Sequence, residues 1–436
     1  MPQHSLPRKS KSFEMRTALR TVLTSLGAGT LALVQVAGAS AQANEKMVHI
    51  FGTASSGYAL GGYNPYGGVI LDSAGNLYGT AAYGGSHGYG MVFEMLKGAN
   101  GQWTEKALFN FGDVADDGAY APLAGLVFDR AGNLFGTTLG GGGSADQYGT
   151  VFELSPTASG KWTFKIVHVF GGTDGQQPRS PLTMDSAGDL YGTTSENGLY
   201  GKGTVFKLTR GAGGVWTEET VYSFGAVSGD GGYSFEPVAI DSSGNIWGTS
   251  QQLGAYGFGA IYEISPNSSG GWTETIVHSF AGGTDGAYPE CGFIFDAAGN
   301  LYGTTTYGGS SSHGIIFELS PAVGGGWTMT TLYNFDGTDG YDAMGNLAFG
   351  PDGTLYGTTW SGGAYGQGNV FALKPSVGGT WSAKNLHSFQ GGQGGCDPWS
   401  GVALDSAGNL YGTTLYCGIG QGFNGVGTVF EIVPQR

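Results

Sequence analysis

Counted six residues back from a recurring aspartate, one position carries a different side chain almost every time it returns: Tyr66, Leu123, Arg179, Phe235, Glu290, Met344 and Trp399. Its flanks hardly change. Together with Glu236 and Asp342, this position offers one guanidinium, several carboxylates and several aromatic rings. Aromatic faces stack on sugar rings, and a guanidinium grips a carboxylate through two hydrogen bonds, so the set suits a sugar or an acidic saccharide. Paired carboxylates are also the equipment of glycosidic-bond hydrolysis when their separation is right. His87 and His313 lie in loops beside Tyr83 and Tyr307, and imidazole is a side chain suited to giving and taking protons near neutral pH. The ligand-binding set is therefore expected to be Tyr66, Arg179, Phe235, Glu236, Glu290, Asp342 and Trp399. Any catalysis is expected to run through Glu290, Arg179, His87, His313 and Tyr307.

Residues that return in every unit are read as serving the unit. Asp72, Asp129, Asp185, Asp241, Asp296 and Asp405 each precede a Gly-Asn or Gly-Asp turn, where a carboxylate caps backbone N–H groups. Glu94, Glu153, Glu263, Glu318 and Glu431 give way to Lys207 and Ala372 in other copies, which reads as a structural surface position. His49, His168, His278 and His387 share a strand position with Phe109, Tyr222 and Tyr333 and are read as aromatic packing. Of the three cysteines, Cys396 and Cys417 fall on the same loop face and form a disulfide if their Cα atoms lie within roughly 7 Å. Cys291 precedes a core strand and reads as a buried thiol. No Cys/His spacing predicts a zinc site, and neither a nucleophile elbow nor a phosphate loop is present. No cofactor is expected. Calcium held by carbonyls of the Gly-rich loops would leave little trace in sequence.

These residues are positioned by a repeat. Its anchor, an aromatic residue before Gly-Thr, occurs at Tyr78, Phe135, Tyr191, Trp247, Tyr302, Tyr356 and Tyr411, at spacings of 54 to 57 residues. Within each copy four short β-rich runs alternate with Gly, Pro, Asn and Ser, as in Gly125 to Asp129, Leu134 to Thr138, Gly149 to Leu154 and Trp162 to Phe170. Four antiparallel strands per unit make a propeller blade. The segment Met47 to Gly52 matches a fourth strand and the C-terminus stops at a third, so the N-terminal strand is expected to complete the seventh blade and close the ring. The fold class is all-β, a seven-bladed propeller over residues 44–436.

Residues 1–43 differ. Arg8, Lys9, Lys11, Arg16 and Arg20 lead into a small-residue apolar stretch ending in Ala39-Ser40-Ala41 and Ala41-Gln42-Ala43, the pattern of a signal peptide cleaved near Ala41 or Ala43. Nothing later is apolar enough to suggest a membrane span. Removing the five basic residues and Glu14 takes the formal charge from −15 to −19, a field that disfavours nucleic acid. A monomer is expected.

Asp-x-x-Gly-Asn-Leu-Tyr-Gly-Thr-Thr, Tyr-Gly-x-Gly-Thr-Val-Phe-Glu-Leu, Trp-Thr-Glu and His-Ser-Phe together resemble the bacterial GloVer tandem repeat of exported proteins whose C-terminal anchors vary. The first of these also looks like the strand-turn-strand unit of NHL-type propellers. The resemblance spans residues 46 to 436. It implies a propeller fold and a secreted or periplasmic location, and it brings no catalytic residues; a C-terminal sorting tail is not recognisable before Arg436. The expected function is a non-catalytic binding module holding a glycan, a small molecule or an extracellular protein on its loop face. The alternatives are a carbohydrate-active enzyme, a lyase or hydrolase working at the mouth of the channel, and a structural envelope repeat.

Overall fold

A computed structural model describes residues 44–52, 61–114, 120–142, 148–376, 378–419 and 425–434; the expected signal peptide lies outside them. Among the described residues are seven four-stranded antiparallel sheets, one for each copy of the repeat. In the second blade the strands are Val127–Phe128, Leu134–Thr138, Thr150–Pro156 and Trp162–Val169. The seventh sheet holds Ala403–Leu404, Leu410–Thr414, Thr428–Val433 and, as its outer strand, Asn44–Ile50. That pairing runs from Asn44 opposite Val433 to Ile50 opposite Thr428. The ring is thus closed by the two ends of the chain, as the sequence predicts. No helix among the described residues is long and apolar enough to cross a membrane.

Each part of the repeat has a mechanical reason. Asp129 accepts backbone N–H groups from Ala131 at 2.8 Å and Asn133 at 2.8 Å, and the Asn133 side chain at 2.7 Å, which fixes the turn. The glycine of the aromatic-Gly-Thr anchor makes room for a ring: a Cβ on Gly136 would sit 2.6 Å from Phe152 Cζ, and one on Gly192 the same distance from Phe206 Cζ. The threonine after it joins blades. Thr80 donates to the Ala124 carbonyl at 2.7 Å, Thr249 to Cys291 at 3.0 Å, Thr358 to Ser400 at 2.7 Å, and Thr413 to Gly67 at 3.1 Å across the closure. The anchor ring itself meets the tryptophan that opens the next blade's outer strand, as Tyr78 does Trp162 and Tyr411 does Trp103.

The recurring glutamate is not a surface group. Glu94, Glu153 and Glu431 are buried opposite the anchor ring; where that ring is tyrosine the glutamate accepts its hydroxyl, Tyr78 at 2.6 Å to Glu94 and Tyr411 at 3.0 Å to Glu431, whereas Glu153 faces Phe135 and accepts the Ser155 hydroxyl at 3.2 Å. Where Lys207 replaces glutamate, the turn residue is Asp189 in place of asparagine and the two pair at 2.8 Å, so a neutral ion pair stands where the glutamate copies carry one carboxylate charge. The shared histidine position does pack edge-on against the phenylalanine two residues on, as His168 does Phe170. It also bonds carboxylates, which aromatic packing alone did not anticipate: His168 to Asp174 at 2.9 Å and His278 to Asp285 at 3.1 Å.

Candidate functional site

The mouth of the ring is built by a backbone feature repeated in all seven blades. Asn64, Ala121, Gln177, Tyr233, Tyr288, Asp342 and Asp397 hold φ between 47° and 57°, in the left-handed region. Non-glycine residues enter this region rarely, at about 1–3 kcal/mol each, and stay there when their surroundings over-determine them. Here hydrogen bonds act from both sides. The N–H of Gln177 donates to Tyr148 of the preceding blade at 2.9 Å, and its carbonyl accepts from Ser195 of its own blade at 3.3 Å; Tyr288 is held likewise by Phe258 and Thr306. Two residues further on comes the variable position, so the left-handed residue sets where that side chain leaves the loop.

The variable side chains separate into two groups. On one side Trp399 lies edge-on to Tyr66 at 5.7 Å and to Trp360 at 5.3 Å between ring centres. Burial raises the Tyr66 hydroxyl above its ordinary pKa, and contact with Tyr416 adds to that. On the other side Glu236, Glu290 and Asp342, from three successive blades, act on one another in sequence, Glu236 feeling the charge of Glu290 and Glu290 that of Asp342. Burial pushes the Glu290 carboxyl up to about 7; a hydrogen bond from Gln251 opposes the shift and the charge of Asp342 adds to it. Burial alone lifts Asp342 to about 6. Glu236 is raised well above its usual range, first by burial and then by Glu290. Both glutamates keep some solvent contact despite their depth, as groups facing the bore of a ring do. Tyr307, raised by burial and by the charges of Asp342 and Glu290, stands half exposed at their edge.

Arg179 lies 5.6 Å over the Phe235 ring, bonds Gln177 and feels both Glu196 and Tyr66, which links it to the aromatic group. Among the described residues Arg179 Nε and Trp360 Nε1 are buried donors without a hydrogen-bond partner. His87 and His313 have other partners. His87 pairs with Asp113 at 3.2 Å and Ser86 at 2.9 Å, His313 packs on Tyr341, and no hydrogen bond or ion pair joins either to the three carboxylates among the described residues. Cys291 beneath Glu290 is a buried thiol pushed up to about 12 by burial, in contact with the Thr304 backbone. Cys396 and Cys417 are bonded, with Cα atoms 5.4 Å apart, at the place where blade three instead joins Gln176 to Asn197 by a 2.8 Å hydrogen bond.

Sequence reasoning passed over Trp360 and Gln251, which follow the invariant Gly-Thr pair by two residues, and the left-handed ring apart from Asp342. A signal for the ring was present: Pro65, Pro122, Pro178, Pro289 and Pro398 each follow one of its members.

No curated protein matches the chain. Among solved structures, the periplasmic gluconolactonase of Pseudomonas aeruginosa is 16% identical with a TM-score of 0.49, over 83% of this chain and 99% of that one. A structure assigned as a 6-phosphogluconolactonase of Bacteroides uniformis is also 16% identical with a TM-score of 0.49, over 77% of this chain and 88% of its own. Neither likeness bears on what this chain does. The Gloeobacter/Verrucomicrobia repeat matches residues 39–183 and 292–436, and the chain belongs to that repeat family.

Proposed function

We propose that this propeller is an exported binding module that holds a glycan at the mouth of its ring. The observation that carries the reading is the pairing of Tyr66, Trp360 and Trp399 with buried, unpaired donors on Trp360 and Arg179. Rings of this kind cover the apolar face of a sugar, and unpaired donors recover their lost hydrogen bonds when a hydroxyl or carboxylate arrives. Export is supported by the leader in residues 1–43 and by the Cys396–Cys417 disulfide, since such bonds persist in oxidising compartments.

A second reading rests on a separate observation. A carboxyl near 7 beside one near 6 gives an acid and a base at neutral pH, as a glycoside hydrolase or lyase needs. One experiment separates the two. The chain is purified from periplasm or medium, where an N-terminus at Gln42 or Asn44 is expected, and screened on immobilised glycans and soluble polysaccharides for retention and for new reducing or unsaturated ends. Retention without product, weakened more than about tenfold by Trp399→Ala, is the expected result. Product that disappears in Glu290→Gln would replace it with the enzymatic reading; loss of neither signal on Trp399→Ala would remove the mouth as the site.

A further inference from the structure

We propose a zinc-class divalent cation site on the outer rim, stapling the second blade to the third through His168, Asp174 and Glu218. It is independent of the mouth. One ligand atom from each residue lies within 4.8 Å of the others, and among the described residues no other group of histidine, cysteine and carboxylate side chains is so close. His168 Nε2 and an Asp174 carboxylate oxygen are joined by a 2.9 Å hydrogen bond, which would open to about 3.4 Å around an ion held about 2.1 Å from each at the tetrahedral angle. Imidazole with carboxylate oxygens suits zinc or its neighbours, with water completing the shell.

The three side chains are braced from behind, as metal ligands are. The other Asp174 oxygen accepts the Gly171 N–H at 2.7 Å, and the Asp174 carbonyl accepts Thr204 at 2.9 Å from blade three. Glu218 accepts the Thr220 hydroxyl at 3.0 Å, and the His168 ring rests edge-on against Phe170. The charges are also unbalanced. Two part-buried carboxylates share one imidazole, while Lys165, three residues before His168, sends its ammonium to the Gly214 carbonyl at 2.8 Å. Among the described residues no lysine or arginine pairs with Asp174 or Glu218.

The repeat supplies internal controls at the same positions of other junctions. Between blades one and two stand Phe109 and Phe164, stacked at 4.2 Å. Between blades three and four the histidine is Tyr222, and between four and five His278 and Asp285 remain at 3.1 Å but the third ligand is Met329. Only the junction of blades two and three brings all three ligand types together among the described residues.

Zinc uptake by the full chain is measured by equilibrium dialysis, with folding followed by circular dichroism. The wild type should take up one equivalent, and His168→Phe with Glu218→Phe, which recreates the Phe109–Phe164 pair, should fold and lose it. Met329→Glu should complete a second site on His278 and Asp285 and raise uptake to two equivalents. Wild-type protein that takes up no zinc overturns the proposal, as does a double variant that holds as much as wild type. Should the double variant not fold, Met329→Glu decides: a second equivalent supports the site, and unchanged uptake overturns it.

Discussion

At the scale of single residues, the carboxylates of the mouth work against the fold at neutral pH. Glu290 is raised from 4.5 to about 7 in the native state. A carboxyl raised on folding contributes stability that is whole below its unfolded pKa and is lost as pH rises through the folded one, here between about 4.5 and 7. Above that window the native protein carries a charge that burial and Asp342 both oppose. Glu290→Gln keeps an acceptor for Gln251 and has nothing to ionise. The variant should therefore match wild type near pH 4 and exceed it near pH 8 by up to about 3 kcal/mol, read as the denaturant midpoint against pH. A difference that does not change with pH would show that Glu290 is not held protonated. Groups costly to stability and gathered at a cleft are the ones whose retention calls for function.

At the scale of the element, the strands and turns were legible because each is written many times over, and the site was legible only in part. Asp-x-x-Gly-Asn and aromatic-Gly-Thr declare a turn and a strand by their own chemistry. The left-handed ring does not: Asn64, Ala121, Gln177, Tyr288 and Asp397 share no side-chain property, and their φ is imposed by N–H and carbonyl groups of two blades. Nor could the sequence show that Glu94 and Tyr78 meet, since that follows from pairing register. The proline after the ring residue shapes the blade before it. Gly259, with φ of 95°, immediately precedes the third strand of blade four, Ala260–Pro266, and a Cβ there would lie 2.6 Å from both Pro289 Cδ and the Ser250 carbonyl oxygen. Gly75, at φ of 83°, has nothing within 4 Å of the same position. Gly75→Ala should cost about 1 kcal/mol through its backbone alone, and Gly259→Ala about 3 kcal/mol or more because a rigid ring and a carbonyl must also move. Equal shifts in thermal midpoint for the two would mean that the inter-blade contact is loose.

At the scale of the molecule, the chain ends decide whether the ring is closed. Cleavage after Ala41 or Ala43 would spare Asn44–Ile50, whose seven residues cover the edge of Thr428–Val433. The same segment reaches both neighbours: His387 of blade six lies 3.2 Å from a Glu45 carboxylate oxygen, and His49 lies 3.3 Å from Glu105 of blade one. Phe51 just beyond it is fully buried with Phe93 and Val429 in the core between blades seven and one. Without the strand, the third strand of blade seven would present a row of unpaired N–H and carbonyl groups, and such an edge pairs with other chains. A form lacking residues 1–50 should therefore lose thermal stability and run as oligomers or aggregate by light scattering, while the form starting at Asn44 runs as one species. A peptide of residues 44–52 added in excess should restore the single species, because it supplies the missing strand in the register the edge already presents. If the shortened chain were equally stable and monodisperse, the ring would be held by its inter-blade threonines and tryptophans alone, and the strand would be a covering and not a clasp.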